Sequence, residues 1–131
     1  MKKISNLYVI DDDKIYHFLL KNLFKQNGID VASTFFVNGS DAIDYIKKNP
    51  GEDILPDLIL LDVNMPIMNG WQFLEEFGKI SKDLSKTPTI YMISSSNNEV
   101  DINKSKEFDG AVKGYFLKPI CKEDLEKIFV L

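Results

Sequence analysis

The 131-residue sequence predicts a doubly wound α/β fold: a single five-stranded parallel sheet in the order 2-1-3-4-5, flanked by five helices. Three observations carry this. Short apolar runs rich in β-branched and aromatic residues recur at 7–10, 58–61, 90–93 and 115–117, without internal polar residues, as parallel strands covered on both faces read. Segments of helical period separate them. Each run also ends in polar chemistry, at Asp11-Asp12-Asp13, Asp62, Ser94-Ser95 and Lys118-Pro119, and carboxyl strand ends are where open α/β sheets build their sites.

Taken in order, the run 7–10 is the first strand. Residues 14–26 form the first helix, with Ile15, Phe18, Leu19 and Leu23 on one apolar stripe and Gly28 as its stop. Residues 29–36 (Val31, Phe35, Phe36) form a second strand whose Ser33-Thr34 suits a sheet edge. A second helix spans 40–48, with Ala42, Ile43, Tyr45 and Ile46 apolar, and Asn49-Pro50-Gly51 closes it. Strand three, 58–61, leads through a turn-rich loop to a third helix at 70–80 (Trp71, Leu74, Phe77). Strand four, 90–93, is followed by a weaker helix at 98–108, and strand five, 115–117, by a last helix at 122–129 (Leu125, Ile128, Phe129). The acids Glu123, Asp124 and Glu126 suit the start of that helix, where its dipole favours negative charge.

Composition narrows the function classes. The chain has the length of one domain, 1–131, with no room for an output module. A hydrophobic fraction of 44% and a charged fraction of 27% are those of a soluble globular protein, and no apolar run is long enough to cross a membrane. No apolar stretch of signal-peptide length precedes the first strand, and the one cysteine, Cys121, rules out an internal disulfide, so a cytoplasmic location is expected. The net charge of −4, without a basic block, gives nucleic-acid binding no electrostatic support.

Three adjacent acids at a strand end repel one another unless a cation neutralises them. Oxygen ligands alone, with room for water and a phosphoryl oxygen, suit Mg²⁺ better than zinc, while Asp13 by itself reads as the cap of the first helix. Asp62, beside such a metal, can be a nucleophile toward phosphorus; taken alone, it would pass for a turn former. Lys118, between an apolar run and Pro119, is placed to reach an anion, and the proline suits a cis bond. Ser94 either faces that anion or begins a loop capping the next helix. His17 reads as surface packing and Trp71 as packing at the start of the third helix.

Together Leu7-Tyr8-Val9-Ile10-Asp11-Asp12-Asp13, Pro56-Asp57-Leu58-Ile59-Leu60-Leu61-Asp62-Val63-Asn64-Met65-Pro66, Asn69-Gly70, Ile93-Ser94-Ser95 and Gly114-Tyr115-Phe116-Leu117-Lys118-Pro119 resemble the receiver domain of two-component response regulators. The likeness runs from Leu7 to Phe129 and implies a flavodoxin-like fold. It implies that Asp62 is the phospho-acceptor and that Asp11, Asp12, Asp62 and the backbone carbonyl of Asn64 hold Mg²⁺. Ser94, with Ser95 as the alternative, would hydrogen-bond the phosphoryl group, and Lys118 would ion-pair with it. Ser94 and Tyr115 would form the switch. The implied partners are a histidine kinase or histidine phosphotransfer protein and a downstream protein target, with the domain a monomer or a phosphorylation-dependent dimer. The receiver would catalyse only its own phosphorylation and dephosphorylation.

Other classes remain in view. One is a receiver-like binding module that does not cycle phosphate. Asp11 and Asp13 also resemble the paired nucleophile and acid/base of haloacid-dehalogenase-type phosphatases, although the later acidic strand end that such enzymes need is missing. No dinucleotide or P-loop glycine motif is present, and three aspartates would repel a flavin phosphate.

Overall fold

A computed structural model describes residues 4–49, 55–84, 87–95, 103–104, 106–108 and 110–129. Its strands are β1 (Asn6–Ile10), β2 (Ala32–Phe36), β3 (Leu58–Asp62), β4 (Thr89–Ser94) and β5 (Val112–Leu117). The helices with complete bounds are α1 (Lys14–Gln26), α2 (Gly39–Lys48), α3 (Gly70–Ile80) and α4 (Lys122–Phe129), with a 3-10 turn at Ser81–Asp83. All pairings are parallel and the order is β2-β1-β3-β4-β5, as the sequence predicts. Of the helix expected at 98–108, residues 98–102 lie outside the described residues, and Asn103, Lys104, Lys106 and Glu107 are helical.

Strand alternation builds two apolar layers. Tyr8, Ile10, Ile59, Leu61, Ile90 and Met92 face one way, against Ala42, Ile43 and Ile46 of α2 and Trp71, Phe73, Leu74 and Phe77 of α3. Leu7, Val9, Leu58, Leu60, Tyr91 and Ile93 face the other way, against Tyr16, Leu20 and Phe24 of α1 and Leu125 and Ile128 of α4. The central strands β1 and β3 are covered on both faces, which is why their runs are wholly apolar.

The edges depart from the sequence reading. β2 starts at Ala32 rather than 29, and its Ser33 and Thr34 fit its position at the rim. β5 starts three residues earlier than expected. Ile90 pairs with Val112 and Tyr91 with Gly114, so Lys113 is an extra residue in a bulge. A Cβ on Gly114 would lie 3.1 Å from the Tyr91 ring. The other edge strand is thus covered on both faces only in part, and Leu117 is exposed.

The stripe assigned to α1 is corrected as well. Tyr16, His17, Leu20 and Phe24 are buried, whereas Ile15, Phe18 and Leu19 are more than half exposed. Asp13 sets the phase: its Oδ1 accepts the Ile15 and Tyr16 amides, so the helix starts with Tyr16 turned to the sheet. At the far end Gly28 adopts φ +67°, and the Ile29 and Gly28 amides donate to the Phe24 and Lys25 carbonyls, a Schellman closure that favours glycine. His17, read from sequence as a surface residue, is buried, with its ring 4.9 Å from that of Phe35.

Candidate functional site

Adjacent central strands deliver the first two acids. Ile10 pairs with Leu61, so Asp11 and Asp62 leave neighbouring strands at the same edge. Both are buried, and Asp12 is exposed. One carboxylate oxygen from each of the three lies within 4.8 Å of the others. Asp11 Oδ1 accepts the Asp13 amide at 2.9 Å, which leaves Oδ2 to face Lys118 Nζ at 2.6 Å. The same ammonium lies 3.7 Å from Asp62 Oδ1.

Lys118 reaches this point because β5 ends beside β4: its amide donates to the Ser94 carbonyl at 2.8 Å. The Lys118-Pro119 bond is cis, as the motif suggested. Ser94 is the last residue of β4 and is fully buried, whereas Ser95 lies beyond the strand and is exposed. Tyr115 pairs with Met92 and is partly buried against the α2–α3 apolar layer, level in the register with Leu61, the residue before Asp62. Trp71, in that layer, stacks on Phe108 at 5.6 Å between ring centroids.

The loop from β3 to α3 is held by a close approach that sequence reasoning missed. The Gly70 amide donates to the Val63 carbonyl at 2.8 Å, and a Cβ on Gly70 would lie 2.5 Å from the Asp62 backbone oxygen. Only glycine fits there. The adjoining Asn69 and Gln72 form a capping box that starts α3. Ile67, exposed near the loop's apex, takes φ 70°, a strained choice for a β-branched residue. Asn64 is exposed, and its backbone amide hydrogen-bonds the Asp62 carboxylate.

Electrostatically, Asp62 is an acid under stress. Burial foremost, and then the charge of Asp11, push its carboxyl up from 3.8 to about 7, with Asp12 adding to the rise and Lys118 and the Asn64 amide opposing it. A single ammonium does not balance three carboxylates. The donor set is all oxygen and a hard divalent cation would offset the remaining repulsion, so these residues fit Mg²⁺. Asp11, Asp12 and Asp62 would hold it, with the Asn64 carbonyl as the further ligand implied by resemblance. Asp13 takes no part, because its carboxylate caps α1.

This fold is shared with known proteins. The family model described as "Response regulator receiver domain" matches residues 7–129, and the chain belongs to that family. It is therefore a receiver of two-component signalling. A two component response regulator from Cytophaga hutchinsonii superposes with a TM-score of 0.86 at 26% identity, covering 98% of this chain and 96% of that one. The Mn(2+)-bound form of response regulator Rcp1 superposes with a TM-score of 0.73 at 28% identity, covering 95% and 88%. Hybrid signal transduction histidine kinase L of Dictyostelium discoideum is 28% identical over 127 residues, which are 97% of this chain but 7% of that protein. None of the described helices is long and apolar enough to cross a membrane.

Proposed function

We propose that this receiver takes a phosphoryl group from a phosphohistidine protein onto Asp62, with Mg²⁺, and thereby switches its protein contacts. The observation that carries the reading is one ammonium, Lys118 Nζ, set 2.6 Å from Asp11 and 3.7 Å from Asp62 at the edge of the sheet. An ionised Asp62 oxygen attacks phosphorus in line; the bond from phosphorus to the imidazole nitrogen breaks, and the imidazole keeps its electron pair. Lys118 leaves Asp11 to meet the phosphoryl oxygens, and the Ser94 hydroxyl offers them a hydrogen bond. Bound Mg²⁺ supplies positive charge that holds Asp62 ionised and stabilises the equatorial oxygens. Water later hydrolyses the acyl phosphate, so the domain catalyses only its own turnover.

The donor is a histidine kinase or a histidine phosphotransfer protein, and the output is a shift between two packings around β5 that Ser94 and Tyr115 report to a downstream protein. Against the phosphatase alternative stands the use of Asp13 as the cap of α1, where its Oδ1 accepts two helix amides. Incubation with acetyl phosphate and Mg²⁺ tests the reading by intact mass. Wild type is expected to gain the mass of one phosphoryl group, labile to base, and Asp62→Asn none; an unmodified wild type would leave a binding module that does not cycle phosphate.

A further inference from the structure

Tyr16 is the member of the α1 layer whose chemistry the core does not explain. It is buried, yet among the described residues its hydroxyl has no hydrogen-bond partner. Its ring, however, lies under a charge. Lys118 Nζ sits 4.5 Å from the Tyr16 ring centroid while it faces Asp11 at 2.6 Å and Asp62 at 3.7 Å. The lysine side chain is itself mostly buried, which strengthens an attraction between cation and ring that water would weaken.

Three groups meet at the ammonium: the carboxylates of Asp11 and Asp62 and the ring of Tyr16. Each contact limits the swing of a flexible four-carbon stem. The Asp13 cap sets the phase of α1 that presents Tyr16 here. The same ring lines a cavity of about 330 Å³ with Leu20, Leu23, Pro119 and Ile120, so a smaller side chain at 16 would open space beside Lys118.

We propose that Tyr16 is a positioning residue for Lys118: its ring face, and not its hydroxyl, holds the ammonium between Asp11 and Asp62 ready for an incoming phosphoryl group. The proposal deepens the phospho-acceptor reading and rests on it for its functional consequence. The lysine then needs no search for its station after each hydrolysis.

Two measurements separate the proposal from the reading beneath it. In wild type without ligand, NMR should find the Lys118 Hε protons shifted upfield by the ring current; Tyr16→Phe should keep that shift, and Tyr16→Leu should abolish it. With Mg²⁺ and beryllofluoride, Tyr16→Phe should bind as wild type does and Tyr16→Leu roughly five- to thirtyfold more weakly. Ordinary Hε shifts in wild type would overturn the proposal even if the leucine variant fails to fold. Leucine binding as tightly as wild type, or phenylalanine as weakly as leucine, would overturn it too. If wild type takes up no beryllofluoride, the fault lies with the phospho-acceptor reading, and the Hε shifts alone decide the contact.

Discussion

At the scale of single residues, the acid that carries the proposed chemistry weakens the metal-free fold. Folding raises the Asp62 carboxyl from 3.8 to about 7, so between those values the folded chain keeps a proton that the unfolded chain releases. Stability contributed by this group is full below pH ~4 and falls as pH rises through about 7. Asp62→Asn removes the slope. Without divalent metal the variant should be more stable than wild type at pH 8, by roughly 2–4 kcal/mol as an upper range, and close to it at pH 4; urea melts at the two pH values check this. A wild-type advantage at pH 8 would mean that Lys118 more than offsets burial.

Among the elements, α1 separates packing from exposure most clearly. Leu20 and Phe24 lie in the layer against the sheet, whereas Ile15 and Phe18 are exposed. Leu20→Ala should cost about 2–5 kcal/mol and Phe18→Ser less than about 0.5, measured by chemical denaturation. The reverse order would restore the stripe read from sequence. That stripe failed for a physical reason: the first half of α1 carries apolar residues on both faces, so period alone cannot choose between them, and the Asp13 cap decides. The central strands were legible because burial on both faces leaves a run with no polar residue. β5 was read short because a bulge at Lys113 and the tight fit of Gly114 on Tyr91 break its pattern. At the site, Asp11, Asp62, Ser94 and Lys118 were readable as strand ends. Tyr16 was not, since it matters through contact with a residue distant in sequence, and of Gly70 the Asn69-Gly70 motif gave the position but not its close approach to the Asp62 backbone.

For the molecule as a whole, metal binding and folding should be one equilibrium. Mg²⁺ held by Asp11, Asp12 and Asp62 would stabilise the folded state by mass action, and only where those groups are ionised. The rise in melting temperature on adding Mg²⁺ should therefore be larger at pH 8 than at pH 5, and small at either pH in Asp62→Asn; scanning calorimetry checks both. The parallel topology carries a last consequence. Residues 11, 62, 94 and 118 are brought to one edge by four separate parallel strands, β1, β3, β4 and β5. No short stretch of the polypeptide contains the cluster, so a half-synthesised or partly refolded copy has aspartates but no pocket. On the proposed chemistry such a copy is mute: damage to the molecule silences it rather than leaving it to issue a false message.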